Sequence, residues 1–238
     1  MQALDVAPSF GMAPALSILA ALGALLCPAQ AGAQTVDSDA QAWPSLTVIV
    51  PIARGLDLRA DAVLQLTDDG SHLGRQLYRA VLLAKLDDDL SIGGGYTWTR
   101  IDPGTAPAQV EHRAVQDIVF RKAVAPGGLT LMLRTRLETR VREARNGVSW
   151  RLRQLTRLEL PVTAGGVSAV AWNEYFHGFN TTEWSGPSGS ALMLTFIGVQ
   201  VPAGRRIVVE PGYLNQTGFD AGRNSVRHVA SLTMVLRL

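Results

Sequence analysis

Apolar and polar side chains alternate one for one along much of the chain. Leu56, Leu58, Ala60, Ala62, Leu64 and Leu66 share one parity, while Asp57, Arg59, Asp61, Gln65 and Thr67 share the other with Val63. Successive side chains of a strand point to opposite faces, so this spacing predicts a strand with one apolar and one charged side. The contrast recurs where Leu129, Leu131, Leu133 and Leu137 alternate with Met132, Arg134, Arg136 and Glu138. It recurs again where Trp150, Leu152, Leu158 and Leu160 alternate with Arg151, Arg153, Arg157 and Glu159. Followed to the end, the pattern predicts eleven strands centred near Val48, Asp61, Ala80, Gly95, Val115, Arg134, Leu155, Ala171, Thr195, Val209 and Thr233. Most are about ten residues or longer, enough to cross a bilayer at a tilt, whereas globular strands usually run about 5 to 6.

The connections fall into two alternating sets. Ile52 to Gly55, Leu86 to Asp89, Ala123 to Gly128, Pro161 to Gly166 and Pro202 to Arg205 are short and rich in Gly, Pro or Asp. Asp68 to Gly74, Asp102 to Gln109, Arg142 to Gly147, Gly178 to Gly189 and Thr217 to Asn224 are longer and more polar. Short turns on one side and long loops on the other are expected of an outer-membrane barrel. Single-chain bacterial barrels have even strand numbers, so a further strand within Thr35 to Ala42 would give twelve. Ten follows if Trp43 to Ile52 or another weak segment does not span. The fold expected is therefore all-β, an antiparallel transmembrane β-barrel of about twelve strands over residues 34–238.

Beyond Ala33 no stretch supplies the ~18 apolar residues of a spanning helix. The nearest, Ser185 to Gly204, is interrupted by Pro187, Gly189, Gly198 and Pro202. Before it, Gly11 to Leu26 is almost wholly Ala, Leu, Ile, Gly and Met, and Ala29-Gln30-Ala31-Gly32-Ala33 follows. Residues 1–33 are thus expected to be a signal peptide cleaved near Ala31 or Ala33, although the first ten carry no Lys or Arg. The single cysteine, Cys27, falls inside that segment, which leaves residues 34–238 without a disulfide or thiolate metal site. Lys and Arg total 22. The 20 acidic residues include Asp5, so 22 stand against 19 beyond Ala33, interleaved in sign, and no nucleic-acid partner is expected.

The charged face carries most of the chemistry. A midplane arginine against lipid costs about 2–4 kcal/mol, so Arg134, Arg136, Glu138 and Arg140 on one strand and Arg151, Arg153, Arg157 and Glu159 on the next must face water or a lumen. In a barrel they would meet Arg59, Asp61, Glu111, Arg113, Asp117, Glu174 and Glu210 from other strands, as cross-strand ion pairs. A small channel and a purely structural barrel are both open readings of such a lumen. If it conducts, its arginine excess predicts mild anion preference and a small solute or ion as passenger.

Other features add less. Trp43, Tyr96, Trp98, Phe120, Trp150, Tyr175 and Tyr213 lie near strand ends, where aromatic residues form interfacial girdles in contact with outer-membrane lipid and lipopolysaccharide. Ala230, Leu232, Met234, Leu236 and Leu238 alternate with Val229, Ser231, Thr233, Val235 and Arg237, similar to the terminal strand read by the barrel-assembly machinery. Gly93-Gly94-Gly95 lacks dinucleotide-loop spacing and reads as relief of crowding in a strand. No cofactor or metal signature is present, since His72, His112, His177 and His228 have no ligand spacing. Three rivals remain: a binding or adhesion scaffold acting through Gly178 to Gly189 with Trp184, a lipid-modifying hydrolase built from Ser168, Glu174 and His177, and a wholly soluble periplasmic β-protein in which the charged rows are an ordinary solvated face.

From Trp43 onward the chain resembles the uncharacterised outer-membrane family DUF2490. Carrying that resemblance are Glu111-His112-Arg113 with Gln116, the run Arg134 to Arg140, Arg151-Leu152-Arg153, Asn173-Glu174, and Gly212-Tyr213 near Gln216. The stretch from Phe196 to Val201 departs from the pattern, with Ile197-Gly198-Val199 where a polar Asn-Arg pair is expected. The resemblance implies a barrel at the outer membrane and carries no substrate.

Overall fold

A computed structural model describes residues 37–189, 191–220 and 223–238. The expected signal peptide lies outside the described residues. Eleven strands are described: β1 (Asp37–Ala53), β2 (Leu56–Thr67), β3 (His72–Lys85), β4 (Leu90–Ile101), β5 (Gln109–Ala125), β6 (Leu129–Arg142), β7 (Ser149–Pro161), β8 (Ser168–Gly178), β9 (Ala191–Pro202), β10 (Ile207–Asp220) and β11 (Arg223–Arg237). Each pairs with its neighbours in sequence, and β1 pairs with β11 to close the barrel.

All eleven predicted centres fall inside these strands. The additional strand sought in Thr35 to Ala42 is instead, from Asp37 on, the beginning of β1. Asp37 to Ile49 pair without a break against Ser225 to Arg237, so nothing divides that segment from the rest of β1. An odd number of alternating strands brings the first and last into the same direction. The expected antiparallel closure is therefore replaced by a parallel β1–β11 seam, and the barrel is mixed. Across the seam the hydroxyls of Ser45 and Thr233 bond at 2.7 Å.

The connections keep their two sides, with two changes in length. Thr217 to Asp220 continue the ladder against Val226 to Arg223, so most of the expected Thr217 to Asn224 loop is strand. The first long connection shrinks to residues 68–71, a turn in which Asp68, Asp69 and Gly70 all take positive φ. The triple glycine packs closely, as crowding predicted. A Cβ on Gly95 would lie 2.1 Å from the Ala80 carbonyl oxygen, and one on Gly93 would lie 2.7 Å from Leu83. That close approach lets β4 curve onto β3.

The apolar parity of the strands faces outward. Leu82, Ile92, Ile118, Ile197, Leu232 and Met234 are exposed on the outer wall, Ile118 and Ile197 by 55% and 59%. Tyr96, Trp150, Tyr175 and Tyr213 are exposed there too. Tyr78 stacks on Trp98 with ring centroids 5.7 Å apart, and the Tyr213 hydroxyl meets His228 Nδ1 at 2.6 Å. Trp43, expected among these girdle aromatics, points inward instead, its Nε1 donating to Gln41 Oε1 at 2.8 Å.

Candidate functional site

The inner faces of β2, β3, β5 to β8 and β10 are tied together by ion pairs. Eleven arginines meet seven carboxylates there, among the described residues. Their ladder register makes the pairing local. Asp117 faces Arg136 across β5–β6, and Arg136 grips both its oxygens at 2.6 Å. Glu138 faces Arg151 and accepts from it and from Arg153. Arg153 also reaches Glu174 on β8 at 2.7 Å, and Arg134 reaches the same carboxylate. Glu111 receives Arg113, Arg140 and Arg142, and Asp61 receives Arg59 and Arg79. Nearer the short turns, Glu159 is shared by Arg121 and Arg157, and Arg157 continues to Glu210. Charged bonds of this kind are stronger than neutral ones and fix the planar guanidinium in one orientation.

Beside the network lies a cavity of about 720 Å³. Of the fifteen residues expected to line the lumen, eleven do so: Arg59, Glu111, Arg113, Arg134, Arg140, Arg151, Arg153, Arg157, Glu159, Glu174 and Glu210. The other four, Asp61, Asp117, Arg136 and Glu138, are buried beneath in the ion pairs. Arg75, Arg79, Arg121, Arg142 and Arg237, outside those fifteen, also reach the cavity. Arg75 and Arg79 sit in β3, where Leu77, Val81 and Leu83 share their inward parity and blur the contrast.

The other wall of the cavity is apolar. Trp43, Trp172, Phe176, Leu192, Leu194 and Leu214 line it from β1 and β8 to β10. Trp172 stacks on Phe196 at 5.2 Å and 11°. The Phe196 ring in turn lies over the paired Gly198 and Gly212, where an added Cβ would meet it at 2.5 and 2.3 Å. Within the unexpected Ile197-Gly198-Val199, Gly198 makes room for this aromatic shelf, while Ile197 and Val199 are exposed on the outer wall.

At the long-connection end the loop after β8 folds across the mouth. Asn180 receives the Trp150 amide and donates to the Val148 carbonyl, both at 2.8 Å. Trp184 lies over the guanidinium groups of Arg140 and Arg142 at 5.2 and 4.8 Å, and Trp184, Ser185 and Gly186 line the cavity from above. On the same rim the Asp102 carboxyl is held below its ordinary range by the Gly104 amide, helped by Arg100 and His72. At the opposite end Arg121 and Arg237 line the cavity.

The hydrolase residues are not assembled. Ser168 and His177 sit at opposite ends of β8 and on opposite parities, and Glu174 is occupied by Arg134 and Arg153.

The family described as a protein of unknown function (DUF2490) matches residues 40–227. This chain belongs to that family. An uncharacterized protein of Methylorubrum extorquens is 31% identical over 223 residues, covering 92% of this chain and 96% of that protein. No solved structure matches the chain. Much of the resemblance to DUF2490 rests on lumen side chains: Glu111, Arg113, Arg134, Arg136, Glu138, Arg140, Arg151, Arg153 and Glu174 all belong to the ion-pair network.

Proposed function

We propose that this DUF2490 protein is an outer-membrane barrel whose lumen is a narrow, anion-preferring passage. The observation that carries the reading is one cavity lined at one end by Trp184 and Ser185 and at the other by Arg121 and Arg237, with arginine in excess along it. Every carboxylate of the network is already paired, while Arg75 and Arg237 line the cavity with no acidic partner among the described residues. A ring of fixed positive charge favours anions over cations in a low-dielectric pore.

The outer wall supports placement in lipid. Soluble monomers rarely expose contiguous apolar patches beyond a few hundred Å², and here the exposed apolar side chains run around the wall. Strands of 11 to 17 residues exceed the ~9–11 needed to cross a bilayer. The aromatic residues of the outer wall suit the headgroup region of lipid or lipopolysaccharide. β11 would present the terminal strand to the assembly machinery, and residues 1–33 would be the export signal.

A cavity of about 720 Å³ spread along a ~30 Å hydrocarbon core supports a narrow passage for water and small solutes rather than a wide pore. Purified protein in planar bilayers under a KCl gradient should give small unitary steps reversing toward the chloride potential. Reversal toward potassium, or a bilayer that stays silent while the barrel shows heat-modifiable mobility, would remove this reading.

A further inference from the structure

The lumen is two-faced, and an ion passage has no need of that. Wetted apolar surface is unfavourable, and Trp172 and Leu192, partly buried over the packed cluster of Trp43, Leu194 and Leu214, present such surface to the cavity. The same cavity is lined by Arg75, Arg113, Arg140, Arg142 and Arg151.

We infer that this cavity is a binding site for a small organic anion with an apolar body, an aromatic carboxylate being the type that fits both walls. The inference deepens the reading of the lumen as an anion passage and rests on it for access from the mouths.

Three observations point to a ligand. First, Arg75 makes no ion pair and no side-chain hydrogen bond among the described residues, and its Nε is buried without an acceptor, as is that of Arg142. Buried donors in native proteins are almost always satisfied, so a guanidinium that lines the cavity and has no acceptor within the described residues calls for one from outside the chain. A carboxylate is the acceptor that suits a guanidinium best. Glu111 does not fill the role, since it is taken up by Arg113, Arg140 and Arg142.

Second, the ladder places an aromatic surface beside this cation. Ala42 pairs with Leu66 and Gln65 with Arg75, so Trp43, Gln65 and Arg75 follow one another around the wall on β1, β2 and β3. Ring and charge thus line the cavity two strands apart in one register. Third, the cavity volume of about 720 Å³ falls within the ~300–1,000 Å³ typical of small-molecule sites.

The test uses the full-length mature protein folded in detergent, with 2-naphthoate as probe and acetate and 2-naphthalenemethanol as single-feature controls. Equilibrium dialysis should show saturable 2-naphthoate binding at least tenfold tighter than either control. Arg75→Gln and, independently, Leu192→Asn should each weaken it about tenfold while retaining heat-modifiable mobility. Should Arg75→Gln fail to fold, the three-ligand comparison and Leu192→Asn still decide. Equal binding of acetate, equal binding of the alcohol, or no saturable binding overturns the inference. Conductance on the same preparation separates the two proposals. Chloride current without naphthoate binding sinks the ligand site alone, whereas naphthoate binding in a silent bilayer supports the site and removes the passage.

Discussion

Replacing Asp117 with leucine strands a buried guanidinium inside the barrel. Asp117 and Arg136 have side chains only 3% and 2% exposed, and Arg136 bonds both carboxylate oxygens while its Nη1 has no partner at all. Breaking a buried pair by removing one member costs about 3–5 kcal/mol, because the remaining charge is left uncompensated. Arg79 and Arg134 stand close enough to repel it further, so Asp117→Leu belongs at the upper end of that range. Arg136→Met leaves the opposite orphan and should cost a similar amount. The double variant leaves neither charge and is expected within about 1 kcal/mol of the parent, since apolar replacement of a whole buried pair is often neutral. Urea unfolding in phospholipid vesicles, read by tryptophan fluorescence, gives the coupling energy from the three variants. A coupling below about 1 kcal/mol is what a solvated surface pair gives, and it would refute the claim that this pair is buried.

Gly212→Val should destabilise by about 1–3 kcal/mol in the same unfolding assay, because its Cβ would sit 2.3 Å from the Phe196 ring and dislodge the shelf. Ile118→Arg, on the outer wall near the middle of β5, should cost about 2–4 kcal/mol in vesicles and far less in detergent; an equal cost in both would contradict lipid contact. Trp184→Ala removes the ring lying over Arg140 and Arg142, and single-channel recording should show a larger step with unchanged anion preference. An unaltered step would mean that the loop does not narrow the mouth.

The parts of this fold that sequence exposes are those where neighbouring residues differ sharply. In β6 and β7 leucine and arginine occupy alternate positions, so strand, faces and lumen residues are all readable. In β9 the run Leu192, Met193, Leu194, Thr195, Phe196 and Ile197 is apolar on both faces, and period two has no contrast to report. The apolar wall was hidden for that reason, although the departure from the family pattern at Ile197-Gly198-Val199 marked the place. Gly218, Asp220, Gly222 and Asn224 signal a loop locally, but ladder bonds between β10 and β11 carry the strands past Thr217. Closure by a parallel pair is a property of the whole chain. It joins residues nearly two hundred positions apart, and no local pattern encodes that meeting.

The same-way run of β1 and β11 gives the molecule a vectorial character. Asp37 enters the sheet at the rim bearing the loop with Trp184, and Arg237 leaves it at the rim bearing Arg121, so in the proposed outer-membrane setting a polypeptide fused ahead of one and behind the other is expected on opposite surfaces. Intact cells carrying both tags should lose one to added protease and keep the other, a sidedness that an even-stranded barrel cannot have.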